Sequence, residues 1–225
     1  MSERRPNGLQ GADERIEVVL FDLGGVLMDF GGLARLADLA GRPDDETLRA
    51  AWAGSRWVQA FERGACDADS FGRRIVAEWG IGLSPAAFIE DFRQWSAGPF
   101  PGAIDLARRL RDVVAIGCLS NTNPVHWQQH LDRWGLVEHF DWRFASHELG
   151  LLKPDPAVYE HVVRIMGAVP ERVLFLDDSD ENVDAARITG MRAERVRGLD
   201  EVRTALRSHL VTDVDRLPRT RSTDF

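Results

Sequence analysis

The chain has 225 residues, 44% hydrophobic and 28% charged, with a net charge of −8 and a sequence pI near 5.3. That length suits one domain with an insertion, or two small ones, and is enough to bury a sizeable core. The acidic balance argues against nucleic acid as a partner, no apolar run approaches membrane-spanning length, and two cysteines, Cys66 and Cys118, are too few for a disulfide framework.

Met1 to Glu17 is charged and lacks the apolar stretch of a secretion signal, so a cytoplasmic protein is expected. Residues 1–14, broken by Pro6, Gly8 and Gly11, read as a disordered tail, as do residues 217–225. The first element is a strand over roughly Glu17 to Phe21, because Val18-Val19-Leu20-Phe21 is an apolar run rich in β-branched residues. Asp22 stands where this strand ends, and Gly24-Gly25 leaves the backbone free to turn. A short turn region is expected up to Gly32.

From Leu33 to about Trp95 the pattern is helical. Leu33, Leu36, Ala37 and Ala40 recur at helical spacing, and Gly41 with Pro43 ends that segment. Asp44 or Asp45 can cap a second helix carrying Leu48, Ala51 and Trp52, with Arg63-Gly64 as its stop. Asp67 caps a third, bearing Phe71, Ile75 and Trp79. Ser84-Pro85 starts a fourth, with proline at the favoured first position. Four helices without a strand, inserted after the first strand, predict a separate helical module with Gly98–Gly102 as its return linker. The tryptophans Trp52, Trp57, Trp79 and Trp95 are expected to form its core, with one or two facing a ligand.

Beyond residue 102 helices and strands alternate. Helices are predicted over 103–111, 124–134, 156–166, 181–190 and 199–210, and strands over 113–119, 142–145, 172–176 and 192–196. This alternation predicts an α/β fold: a Rossmann-like parallel sheet core with helices on both faces. The core takes residues 15–31 and 99–212, and the inserted α-helical cap takes residues 32–98.

Each central apolar strand ends in polar residues. Leu119 runs into Ser120-Asn121-Thr122-Asn123, and Leu176 into Asp177-Asp178-Ser179, while Lys153-Pro154-Asp155-Pro156 precedes a helix. In a parallel sheet these ends share one edge with Asp22, the edge where ligands bind. Taken singly, Lys153 reads as a solvated lysine, Ser120 as a turn residue and Asp177-Asp178 as helix-start acids. Taken together, three carboxylates at one point repel each other unless a cation sits among them. Magnesium suits such a site, because it takes one or two carboxylates, waters and phosphate oxygens. Ser120 and Lys153 would donate to an anion, and Asp22 would be a nucleophile forming an acyl phosphate. His126 and His130 are four apart on a predicted helix, but with no glutamate between them and no third ligand they make a poor metal pair.

These motifs resemble those of the haloacid dehalogenase (HAD) superfamily. Phe21-Asp22-Leu23-Gly24-Gly25-Val26, Leu119-Ser120-Asn121, Lys153-Pro154, and Leu176-Asp177-Asp178 with Asn182 are similar to its four motifs in order. The resemblance implies a Rossmann-like core under a C1-type cap. It implies a catalytic set of Asp22, Ser120 and Lys153, and a phosphate held by Ser120, Asn121 and Lys153. It also implies Mg2+ bound by Asp22, the Gly24 carbonyl and Asp178, with Asp177 in support and Asn182 beside it. One departure stands out: family phosphatases usually carry an aspartate, as general acid and base, where this chain has Gly24. This variant resembles the branch that includes a bacterial glucose-1-phosphate phosphatase.

The expected activity is therefore magnesium-dependent hydrolysis of a small phosphorylated metabolite, with sugar 1-phosphates as the leading class. The protein is expected as a monomer or homodimer, without nucleic-acid or membrane partners. Two alternatives remain at this point. One is a degenerate HAD-fold binding or regulatory protein, favoured by Gly24. The other is a haloacid dehalogenase, opposed by the paired acids Asp177-Asp178.

Overall fold

The structure, a computed structural model, describes residues 15–44 and 46–210. The chain opens with β1 (Val18–Phe21) and β2 (Met28–Phe30). Five helices follow: α1 (Gly32–Ala40), α2 (Glu46–Gly54), α3 (Arg56–Glu62), α4 (Ala68–Trp79) and α5 (Pro85–Arg93). After β3 (Ser96–Pro99) come α6 (Ala103–Leu110), β4 (Ala115–Ser120), α7 (Pro124–Asp132), β5 (Trp142–Ala145) and the short α8 (Ser146–Leu149). Then follow α9 (Pro156–Met166), β6 (Val173–Asp177), α10 (Asp180–Ile188), β7 (Arg192–Arg195) and α11 (Gly198–His209).

Five of the strands form one parallel sheet in the order β5-β4-β1-β6-β7. All four residues of β1 are buried, because helices cover both faces of the sheet. Strand side chains alternate between faces. Val19 and Phe21 join Ile116, Leu174 and Leu176 under α6 and α11, whereas Val18 and Leu20 join Phe175 with Tyr159 of α9 and Val183 of α10. A third apolar cluster belongs to α1–α5. Phe61 stacks on Phe71 with ring centroids 4.3 Å apart, and Trp52, Phe88, Phe92 and Trp95 pack around them. Each such buried aromatic contributes about 1.5–3 kcal/mol of transfer free energy.

The helix starts are chemically marked. Asp67 Oδ1 accepts from Ser70 N at 2.7 Å ahead of α4, and Ser84 Oγ accepts from Ala87 N at 3.2 Å ahead of α5. Two expectations for this region need correction. The second predicted helix is two, α2 and α3, because Ser55 breaks the run and caps α3 through its hydroxyl, which accepts from Trp57 N. The turn up to Gly32 and the return linker are not irregular throughout. They contain β2 and β3, which pair antiparallel as a two-stranded ribbon where the chain leaves and re-enters the sheet domain. The expected tails, and the last residues of the expected core range, lie outside the described residues. Among the described residues no helix is long and apolar enough to cross a membrane.

Candidate active site

Strand register assembles the site. Phe21 pairs with Cys118 on one side and Leu176 on the other. Asp22 N continues the ladder, donating to Leu176 O at 2.8 Å. Asp22, Ser120 and Asp177 therefore emerge at the same carboxyl edge, where β1 meets a neighbour on each side. All three are buried, Asp177 completely. The edge opens into a cavity of about 350 Å³ lined by Asp22, Gly24, Ser120, Asn121, Lys153 and Asp178, with Asn182 behind them.

Lys153 is the hub. Its ammonium donates to Asp22 Oδ1 at 2.7 Å and to Asp177 Oδ2 at 2.6 Å, with the side chain 2% exposed. Asp177 Oδ1 accepts from Ser179 N and from Asn182 Nδ2, both at 2.9 Å, so that carboxylate is saturated. Burial pulls the Lys153 ammonium towards neutrality, but Asp177 and then Asp22 outweigh it and the net direction is upward, so the lysine is charged. The Asn121 carboxamide clamps the Lys153 backbone: Nδ2 donates to Lys153 O and Oδ1 accepts from Lys153 N, each at 2.9 Å. Asn121 is thus turned to the lysine, while the Ser120 hydroxyl, on the cavity wall, makes no hydrogen bond among the described residues.

Asp22, Asp177 and Asp178 can each offer an oxygen such that all lie within 4.8 Å of one another. Burial, more than any neighbour, pushes the Asp22 carboxyl up; Asp177 and Asp178 add to this and Lys153 opposes it. Asp178 is raised as well, first by burial and then by Asp177. Clustered oxygens whose own repulsion disfavours ionisation are the donor set a small hard dication relieves. The backbone makes room for the Asp178 carboxylate. Gly25 has φ +72°, and a Cβ there would lie 2.5 Å from Asp178 Oδ2. A Cβ at Gly24 would meet nothing within 4 Å.

The opposite wall comes from the helical module, with Leu33, Trp52, Val58 and Phe61 beside Arg49 and Glu62, and from Phe30 of β2. Two seams hold the module over the edge. Ser146 Oγ accepts from Thr122 N at 2.9 Å and donates to Glu62 O at 2.7 Å. His126 Nε2–H donates to Phe92 O at 2.7 Å, and its ring lies 4.2 Å from that of Phe92. His126 Nδ1 faces Asn123 at 3.2 Å, so this imidazole is fully used as a strut. Of the four tryptophans, Trp52, Trp79 and Trp95 are buried in the module, and Trp52 also reaches the cavity. Trp57 instead carries the guanidinium groups of Arg56 and Arg74, each 4.4 Å from its ring.

Glu62 is the site residue that motif reading misses, because it belongs to no strand end. A signal was present: it is an acid in the last turn of a helix, where the dipole disfavours negative charge. Burial pushes its carboxyl up to about 7, with Lys153 and Arg63 pulling it down and Asp22 pushing it further up.

Comparison with known proteins agrees with the fold. Residues 16–190 match the family described as haloacid dehalogenase-like hydrolase. A sesquiterpene phosphatase of Aspergillus oryzae is 31% identical over 182 residues, covering 78% of this chain and 87% of that protein. A D-ribitol-5-phosphate phosphatase of Bacteroides thetaiotaomicron is 26% identical over 188 residues, covering 78% and 89%. A HAD family enzyme of the same bacterium, crystallised with magnesium and inorganic phosphate, superposes with a TM-score of 0.68 at 21% identity, covering 81% of this chain and 94% of that one. With Asp22, Lys153 and the paired acids Asp177 and Asp178 gathered at one sheet edge, and with phosphatases among its relatives, this chain belongs to the haloacid dehalogenase-like hydrolases and is a phosphatase of that family.

Proposed function

We propose that the chain is a magnesium-dependent phosphomonoester hydrolase that works through a covalent phosphate on Asp22. The observation that carries this reading is the Asp22–Lys153–Asp177 chain. Lys153 holds Asp22 Oδ1 and is itself held by a saturated, buried carboxylate. The second oxygen of Asp22 is left to attack phosphorus. Lys153 favours the ionised form of Asp22 against burial and neutralises charge on the transferring phosphoryl group. Ser120 donates its hydroxyl to a phosphoryl oxygen. Asn121 acts by fixing the Lys153 backbone. Bound by Asp22, Asp178 and the Gly24 carbonyl, with Asp177 in support, magnesium would neutralise phosphate charge that Lys153 alone does not cover. The helical module serves as the cap, with residues 32–98 closing over the core formed by 15–31 and 99–212 and excluding water from the first step.

For the substrate, sugar 1-phosphates fit a site without an acid at Gly24, because their leaving oxygens are comparatively acidic. The aromatic and aliphatic cap wall equally favours phosphates of apolar alcohols, in keeping with the sesquiterpene phosphatase among its relatives. A phosphate-release screen with magnesium, spanning aryl, sugar, prenyl and nucleotide monophosphates, tests the reading. Turnover should need the metal and disappear in Asp22→Asn. Activity that survives in that variant or in excess chelator would overturn the covalent mechanism, and chloride release from a 2-haloacid would point to a dehalogenase instead.

A further inference from the structure

Gly24 leaves the core without a side chain to protonate the departing oxygen, yet the cavity holds an acid of another origin. Glu62 ends α3 and lines the same cavity as Asp22, Ser120 and Lys153. It is partly buried, and no hydrogen-bond donor among the described residues reaches its carboxylate. Its backbone is not free to wander. Glu62 O accepts from the Ser146 hydroxyl, whose oxygen is also tied to Thr122 N, one residue past Asn121. Two residues on, Gly64 has φ +67° and packs against the His147 carbonyl so closely that a Cβ would collide. The end of α3 is therefore pinned to the core loops that carry the phosphate-binding side chains.

We propose that Glu62 is the general acid and base of this enzyme, supplied by the cap in place of the side chain absent at Gly24. The assignment rests on the aspartyl-phosphate reading above. In the first step Asp22 forms a bond to phosphorus while the bond from phosphorus to the alcohol oxygen breaks. The proton on the Glu62 carboxyl passes to that oxygen, and the alcohol leaves with Glu62 as carboxylate. In the second step a water oxygen bonds to phosphorus and the Asp22–phosphorus bond breaks. The water's proton returns to Glu62, releasing inorganic phosphate and regenerating both carboxyl groups. The charges that face Glu62 suit this cycle. Asp22 disfavours its ionised form, and Lys153 and Arg63 keep that form accessible, so burial leaves it titrating near neutrality. The carbonyls at the end of α3 add to the preference for the protonated state. Asp29, a further carboxylate lining the cavity, is exposed to solvent, whereas Glu62 is partly buried. Because the acid rides on the cap, chemistry and closure become one event: an open cap leaves the phosphate bound but the leaving oxygen unprotonated.

The test compares wild type, Glu62→Gln and Glu62→Asp on alkyl and 4-nitrophenyl phosphates with saturating magnesium. Wild type should show a shallow dependence on leaving-group pKa and a rate on alkyl esters that falls as pH rises above about 7. In Glu62→Gln the alkyl rate should drop by about 10²–10⁴, the usual worth of a positioned general acid, and the fall above neutrality should vanish. With 4-nitrophenyl phosphate the same variant should release a burst of nitrophenolate equal to the enzyme. Slow turnover should follow, since the phosphorylated Asp22 has lost its base. Glu62→Asp should recover part of the alkyl rate. An equal loss on both ester classes, or an unchanged alkyl-to-aryl ratio, would reduce Glu62 to a structural role and overturn the proposal. So would a steep leaving-group dependence already present in wild type, a measurement that needs no variant to fold. Wild type that forms no phosphoenzyme with either ester would instead overturn the aspartyl-phosphate reading, and the role of Glu62 with it.

Discussion

Lys153 and Asp177 form a 2.6 Å ion pair in which the carboxylate side chain is wholly buried and the lysine side chain is 2% exposed. The pair stands beside Asp22, to which the same ammonium donates, and it fixes where the ammonium sits before any ligand arrives. Asp177→Asn keeps the shape and can keep the bonds to Ser179 and Asn182, but it leaves a buried cation with Asp22 alone. Removing one partner of a buried pair costs about 3–5 kcal/mol, and a loss near the low end is expected because Asp22 remains. Urea unfolding of the purified variant measures it. A variant as stable as wild type would mean that the lysine can relax to solvent.

Lys153→Ala separates the electrostatic role from the structural one. A single such donor to a transferring group is typically worth about 10²–10³ in turnover. That loss is expected in kcat on every phosphate ester. Unchanged kinetics would confine Lys153 to a structural ion pair with Asp177 and Asp22.

The neighbouring glycines should respond in opposite ways. At Gly24 a Cβ meets nothing, so alanine is expected to be neutral or to stabilise by about 0.4–1 kcal/mol through the unfolded chain. At Gly25 alanine must hold φ near +72° and displace Asp178 Oδ2. The conformation alone costs about 1–2 kcal/mol, and the displaced carboxylate should weaken magnesium binding as well. Thermal melts with and without magnesium read both effects. Wild type and Gly24→Ala should gain stability with the metal, and Gly25→Ala should gain little. Equal metal-induced shifts in all three would take Asp178 out of the metal site.

How much of this was visible beforehand depends on locality. β1, β4 and β6 were legible because each is an uninterrupted apolar run, and Asp22, Ser120 and Asp177 followed because each run stops at a polar residue. The β2–β3 ribbon was not legible. Its strands are three and four residues long, Asp29 pairs with Gly98 across the whole cap, and the register shifts between Asp29 and Phe30. Nothing local in either segment encodes such a partner. The split at Ser55 was hidden because apolar residues at helical spacing continue through it from Trp52 to Val58 and Phe61. The positions of Asn121 and Glu62 depend on contacts with Lys153, 32 residues away, and with Ser146, 84 residues away. The motif identified Asn121 but not its use as a clamp, and no motif marked Glu62.

Open space at Gly24 also permits a gain of function. Gly24→Asp would place a carboxyl where a Cβ has free room, two residues from Asp22. In wild type the gain should be small, because Glu62 already supplies the proton. In the Glu62→Gln background the same substitution should recover alkyl phosphate hydrolysis and flatten the dependence on leaving-group pKa. Recovery confined to aryl esters would show that the new side chain does not reach the leaving oxygen.

His126 ties the stability of the contact between α7 and α5 to pH. It is buried, it donates from Nε2 to the Phe92 carbonyl, and it packs against the Phe92 ring at an interplanar angle of 35°. Burial pulls its pKa down to about 4, the Phe92 carbonyl resists this, and Arg93 adds to the fall. His130 is drawn to about 4 as well, first by burial and then by His126. In the unfolded chain each imidazole titrates near the ordinary histidine value of 6.5. Between those limits the unfolded state binds protons that the folded state does not, so these groups make stability rise with pH. Their contribution is complete above about 6.5 and is lost as pH falls towards 4. Asp22, Glu62 and Asp178, all raised, act with the opposite sign over much of the same range, so the clean readout is a difference. His126→Gln can keep a donor near Phe92 O but removes the titration. Its unfolding free energy should depend less steeply on pH than that of wild type between pH 4 and 6.5. The two slopes should differ by up to about 1.4 kcal/mol per pH unit, the value of one proton. Parallel slopes in urea titrations across that window would show that His126 takes up its proton without leaving the seam.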